Sequence, residues 1–273
     1  MPAHAIILFG KNNSANLTDP ATGAPYASVG KLTDGLHTTI GGSGIYLGNG
    51  YVLTANHVGP FTSITFDGST YYDHDGATPV QVAAGVDMKI LRLTTTPTVG
   101  AVSIYTGSSE LNNNATIVGW GVGRDPATAV NSTVVPWGNV ATSDKRWGLN
   151  VPKATANISH GSGSFSALVT VLGGNSQPNQ GLGADEAAVT LNDSGSGMFQ
   201  FLGGNWHLTG LTTNVETADS STFGQDRTNF SRGDFNYFAR ISTYSTQINA
   251  LVPEASHSLL ALSSLVLLLR RRR

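Results

Sequence analysis

Three short segments carry the side chains able to do covalent chemistry. Thr190–Phe199 reads T-L-N-D-S-G-S-G-M-F, an acidic-Ser-Gly turn between two apolar runs that presents one hydroxyl, Ser194, on a tight bend that glycine permits. Far upstream, Y-V-L-T-A-N-H is a β-rich run ending in His57, and V-D-M-K-I-L-R-L sets Asp87 at the head of an apolar strand. A serine hydroxyl is a poor nucleophile near neutral pH without an oriented base to take its proton. Histidine, aspartate and serine, in that order, is one of three unrelated chain orders that build such a triad. The chain is therefore a candidate serine hydrolase.

Competing chemistries have less behind them. Asp73 and Asp75 are alternative acid partners, and with His74 they could bind a metal ion, but Y-D-H-D-G reads better as a turn. No second ligand cluster has suitable spacing, so no metal is expected. There is no H-E-x-x-H motif. Asn192 occupies the first glycine position of a G-x-S-x-G elbow, which disfavours an α/β-hydrolase. His37, His160 and His207 receive no role, and no cofactor is expected.

The positioning elements are strands. Charged residues make up 12% of the 273-residue chain, a balance that with abundant Gly, Ser, Thr and Asn suits short strands and many turns. Ile40–Leu47 and Tyr51–Ala55 flank Gly48-Asn49-Gly50, a strong hairpin signal. Further strands are expected at Ser63–Phe66, Val80–Ala84, Lys89–Leu93, Ala115–Gly119, Ser166–Val171, Ala187–Leu191, Met198–Phe201 and His207–Thr212. The regular spacing predicts Greek-key barrels or a sandwich. Thr94–Asn114 is the expected crossing between two halves. Ala239–Val252 reads as a helix, with Ile241, Tyr244, Ile248 and Leu251 on one face and Pro253 as its stop. The net charge of −2 argues against a nucleic-acid surface, and the absence of cysteine excludes disulfides and thiolate zinc sites.

Six blocks in register resemble the chymotrypsin-like (trypsin-fold) serine proteases. Gly42–His57 looks like their histidine block, Val86–Leu93 like D-I-A-L-L-x-L, and Asn192–Gly197 like G-D-S-G-G-P. Ile117-Val-Gly-Trp-Gly121 resembles the G-W-G strand opening the second barrel. Trp206–Leu211 is similar to the strand after the serine, and Asn236–Tyr244 to the entry into the C-terminal helix. The resemblance covers most of residues 36–252. It implies an all-β fold of two six-stranded antiparallel Greek-key β-barrels with a C-terminal α-helix. The halves would be 6–110, with His57 and Asp87, and 111–252, with Ser194.

The resemblance also implies roles. Ser194 Oγ would attack a scissile carbonyl, His57 would carry the proton, and Asp87 would hold the imidazole tautomer. The backbone N–H groups of Asn192 and Ser194 would form the oxyanion hole. Asn192 stands where the family has glycine, and asparagine tolerates the positive φ that position needs. Ala188, Thr213 and Phe235 would line the substrate pocket. With no carboxylate at Ala188 and a phenyl ring at Phe235, the pocket is expected to take small or medium uncharged residues. Trypsin-like zymogens insert a new Ile-Val N-terminus beside the aspartate preceding the serine, here Asp193. No I-V-G-G start is present, so Asp193 needs another cation or donors; Arg124 is one candidate, although a solvated loop charge is the favoured reading of that residue.

The ends read as processing signals. Residues 253–273 begin P-E-A-S-H-S, then Leu259–Leu269 is almost wholly apolar, then come four arginines. The apolar run is short of the roughly 18 residues of a stable spanning helix, and its basic end fits a cytoplasmic stop. This resembles the PEP-CTERM tail of Gram-negative bacteria, with Ala255 in place of a second proline. It implies export, transient membrane contact through the tail, and cleavage by a sorting peptidase. Ala3-His4-Ala5 fits an A-x-A signal-peptidase site; residues 1–5 are expected to be a signal-peptide remnant, with the true start codon upstream. The partners expected are a peptide or protein substrate and the sorting peptidase. The reading from a different class is an inactive exported surface or matrix protein on the same scaffold. A carbohydrate-binding sandwich would need exposed aromatic platforms, and none can be placed.

Overall fold

The computed structural model describes residues 6–253 apart from Phe9, Asn13, Thr38, Val122, residues 124–134, 137–143, 161–162 and 173–181, Leu191, and residues 217–221 and 224–234. Eighteen strands lie among them: β1 (Ile7–Leu8), β2 (Val29–Thr33), β3 (Thr39–Gly48), β4 (Tyr51–Thr54), β5 (Ser63–Thr65), β6 (Tyr71–Asp73), β7 (Val80–Gln81), β8 (Lys89–Arg92) and β9 (Ala115–Gly119). There follow β10 (Val135–Pro136), β11 (Arg146–Asn150), β12 (Ala154–His160), β13 (Gly163–Val171), β14 (Ala187–Ala188), β15 (Gly197–Leu202), β16 (Asn205–Glu216), β17 (Thr222–Phe223) and β18 (Phe235–Arg240). One helix, α1 (Ser245–Leu251), closes the described chain.

Two antiparallel sheets dominate. The first runs β6-β5-β2-β3-β4-β8-β7 and the second β11-β9-β15-β16-β18-β13-β12. Each has seven strands where six were expected; in the first, the edge strand β7 joins the ladder by only two register pairs. The halves share one core. Ile45, Leu53 and Met88 from the first sheet belong to the same buried cluster as Val118, Phe199 and Leu211 from the second. Between Leu93 and Ala115 the chain makes a single isolated bridge, Ile104 to Leu208.

Two sequence expectations need correction. Ala239 and Arg240 are not helical: they pair with Leu211 and Gly210 as the end of β18. A 3-10 turn over Ile241–Tyr244 then leads into α1, so the α-helix begins at Ser245. The anticipated strand Ala187–Leu191 is paired only over Ala187–Ala188. Strands β11 and β12 were not anticipated; R-W-G-L-N and A-T-A-N-I-S-H have too few large apolar residues to stand out, yet they complete the second sheet. The tail from Glu254 onward and residues 1–5 lie outside the described residues. Among those described, no helix is long and apolar enough to cross a membrane.

Candidate active site

In the first half, strand register brings two of the three groups together. Thr54, the last residue of β4, pairs with Lys89, the first of β8. His57 follows one strand and Asp87 precedes the other, so both emerge at the same end of adjacent ladders. His57 Nδ1 lies 2.7 Å from Asp87 Oδ2, and the His57 backbone N–H donates to Asp87 Oδ1 at 3.0 Å. Asp87 is 5% exposed. A carboxylate so buried, gripping both the ring and the backbone of His57, fixes the ring plane and so the direction in which Nε2 points.

The third group comes from the second half. His57 Nε2 lies 2.8 Å from Ser194 Oγ. Ser194 sits on a turn closed by the Ser196 N–H donating to the Asp193 carbonyl at 2.8 Å. Gly195 takes φ +83° at the third position of that turn, the type II signature. A Cβ there would stand 2.1 Å from the Ser43 carbonyl oxygen, so only glycine fits. The Ser43 N–H on β3 donates to the Ser194 carbonyl at 2.8 Å, and the Ser43 hydroxyl accepts from the Trp120 N–H at 3.0 Å. Ser43 thus ties the Ser194 turn to the sheet that carries His57.

Asn192 has φ +70°, the left-handed conformation anticipated for it. Among the described residues neither the Asn192 nor the Ser194 N–H has a hydrogen-bond partner. The Asn192 carboxamide lies over Gly41, where a Cβ would come within 2.4 Å of its Oδ1. The residues expected to line the pocket are less of a group. Ala188 is fully buried in a cluster with Ile7 and Leu172. The Thr213 hydroxyl donates to the Tyr237 carbonyl at 3.3 Å, and Phe235, half-buried, packs at the edge of the main core.

Asp193 is fully buried, and its donors are now visible. Thr190 N–H and Oγ1 reach Oδ2 at 2.8 and 3.0 Å, and the Ile6 N–H reaches the same oxygen at 3.3 Å. Burial nonetheless pushes its carboxyl up to about 6, against the downward pull of these bonds. Arg124 lies outside the described residues. A cation in electrostatic reach of Asp193 is Arg146, a buried guanidinium that donates to Asn16 Oδ1 at 2.6 Å. Asn16 in turn donates to the Ile6 carbonyl at 3.4 Å. The G-W-G motif belongs here too: a Cβ on Gly119 would collide with Ser196 Oγ at 2.0 Å, and one on Gly121 with Asp193 at 2.5 Å. Sequence reasoning missed Ile6, Asn16 and Arg146. Only the apolar run Ile6-Ile-Leu-Phe9 signalled the segment, which pairs as β1 with β14 through Ile7–Ala188 and Leu8–Ala187.

No family model matches the chain, and no curated protein is similar to it in sequence. Solved structures are similar in fold. Neuropsin, a serine protease expressed in the limbic system of mouse brain, superposes with TM-score 0.57 at 15% identity, over 87% of this chain and 98% of its own. The active form of the Rv3671c protease from M. tuberculosis gives 0.53 at 12% identity, over 93% and 92%. The MamO protease domain from Magnetospirillum magneticum gives 0.50 at 13% identity, over 85% and 99%. With its two antiparallel barrels and closing helix, the chain has the fold of the trypsin-like serine proteases.

Proposed function

We propose that the protein is an exported serine endopeptidase. The observation that carries this reading is a single imidazole within hydrogen-bond distance of a buried carboxylate on one side, 2.7 Å, and a serine hydroxyl on the other, 2.8 Å. Ser194 Oγ attacks the scissile carbonyl as His57 Nε2 takes its proton. The developing oxyanion is met by the N–H groups of Asn192 and Ser194, each such donor being worth about 10²–10³ in rate. His57 returns the proton to the leaving amine, giving an acyl-Ser194 intermediate. Water, activated by the same imidazole, then releases the acid. Asp87 stays ionised and stabilises the imidazolium formed on the way.

The test is labelling of the purified protein by a fluorophosphonate probe. Labelling of the wild type, lost in Ser194→Ala and His57→Ala, supports the reading. A wild type that stays unlabelled leaves the inactive-scaffold alternative standing. With Ala188, Thr213 and Phe235 around the pocket, cleavage follows small or medium uncharged residues; a peptide library showing strong Arg or Lys preference overturns that part.

Processing completes the reading. A cut after Ala5, at the A-x-A site, turns the Ile6 N–H beside Asp193 into an α-ammonium and supplies the missing counter-charge. At the other end, residues 253–273 act as a sorting tail, removed by a membrane-embedded peptidase in a Gram-negative envelope.

A further inference from the structure

The chain has no cysteine, so no disulfide fixes the loop that carries His57. That loop leaves β4 at Thr54 and rejoins the sheet at Ser63. Its own backbone contributes one short turn, the Val58 N–H donating to the Ala55 carbonyl at 3.2 Å. One side of the loop is pressed on β3: a Cβ on Gly42 would meet Val58 Cγ1 at 2.4 Å. The other side is gripped by a cation. Lys89 Nζ donates to the Asn56 carbonyl at 3.1 Å and to the Val58 carbonyl, the groups immediately before and after His57. The same ammonium lies 5.2 Å from the Phe61 ring centroid, further along the loop.

We propose that Lys89 is a positioning residue for His57, acting through the two peptide groups that flank it; this rests on the reading of His57 as the catalytic base. Lys89 opens β8 two residues after Asp87, so one strand start supplies both grips. Asp87 holds the ring and N–H of His57, and Lys89 holds the carbonyls on either side. Four contact points around one residue remove the rotation of the loop that a carboxylate alone would permit. Preorganisation of this kind matters because a displacement of about 1 Å in a reacting group costs on the order of 10²-fold in rate. The ammonium is half-buried. Burial pushes its proton affinity down while Asp87 pulls it back up. A methionine in its place would keep the stem over Phe61 and lose both donors; an arginine would keep charge and donors.

The test compares wild type, Lys89→Met and Lys89→Arg, each active-site titrated so that rates refer to folded sites. The expected result is kcat lower by about 10- to 100-fold in K89M with KM within about twofold, and recovery to within about fivefold in K89R. Proton NMR supplies a second reading: the low-field Nδ1–H signal of the His57–Asp87 bond broadens or disappears in K89M and returns in K89R. If K89M does not fold, Lys89→Ala, which also removes both donors, carries the same readings. A K89M kcat within twofold of wild type, or an unchanged Nδ1–H signal in K89M, overturns the proposal. A wild type that shows the Nδ1–H signal but is never labelled sinks the peptidase reading instead, while the NMR comparison still decides whether Lys89 orders the loop.

Discussion

The two halves contribute different kinds of geometry to the same site. In the first, His57 and Asp87 leave neighbouring strands whose Thr54–Lys89 pairing sets their separation. In the second, Ser194 rides on a turn whose distance from His57 depends on contacts across the seam, chiefly the Ser43 N–H to the Ser194 carbonyl and the Trp120 N–H to the Ser43 hydroxyl. Ladder register is local and tolerant of distant change. Seam packing is long-range, and it fails when either surface shifts. The imidazole–carboxylate pair should therefore be robust, and the nucleophile's placement fragile.

The largest expected effect tests the robust half. Asp87→Asn should lower kcat about 10⁴-fold by favouring the wrong tautomer, with the fold retained, as circular dichroism and probe-free melting would verify. An unfolded variant would mean that the pair also holds the sheet. Next is Gly195→Ala, which strains a φ of +83° and drives a methyl against the Ser43 carbonyl. It should cost about 3 kcal/mol or more and at least 100-fold in labelling rate, while the low-field His57–Asp87 proton signal survives. Loss of that signal would erase the distinction between the halves. Ser43→Ala should be milder, about 1–2 kcal/mol in denaturant unfolding, because it leaves the buried Trp120 N–H without its acceptor. Equal effects of Ser43→Ala and Ser159→Ala, the latter at an exposed position of edge strand β12, would count against a special role for Ser43.

The smallest effect sharpens the picture of the seam's N-terminal edge. With Ile6 in peptide linkage, Asp193 binds its proton up to about pH 6 in the folded chain, above its usual 3.8. The stability it contributes is present at low pH and lost as pH rises through 6. After a cut behind Ala5, the α-ammonium beside it reverses the sign: the carboxyl falls below its usual 3.8, and the stability it contributes is fully present above about pH 4 and lost only as pH falls below that. Between pH 4 and 7 the melting temperature of the uncut form should therefore fall while that of the cut form stays level. Parallel curves would show that Ile6 does not supply the counter-charge.

Much of the fold was legible because its signals are local. Alternating apolar runs and the Gly48-Asn49-Gly50 turn marked β3 and β4, and the block around Asp87 marked β8. The G-W-G run was recognisable as a motif, although its reason, Gly119 and Gly121 lying against Ser196 and Asp193, is a contact between residues more than 70 apart. Strands β11 and β12 were hidden because Ala, Asn, Ser and Thr there give no strong periodicity; the sheet they complete, more than propensity, makes them strands. The helix boundary was misplaced because Ala239 and Arg240 suit a helix locally but are claimed by pairing with β16.

The sequence by itself determined which chemistry the chain could attempt: a hydroxyl on a glycine-permitted turn, an imidazole after a β-rich run, a carboxylate opening an apolar strand, and an asparagine able to bear φ +70°. Tertiary structure alone decided that these groups meet within hydrogen-bond distance, that Ile6 and Arg146 attend Asp193, and that Lys89 grips both sides of His57. The reason is physical: residue type and turn geometry follow from neighbours in the chain, whereas burial, orientation and mutual distance arise only when remote strands pack and exclude water between them.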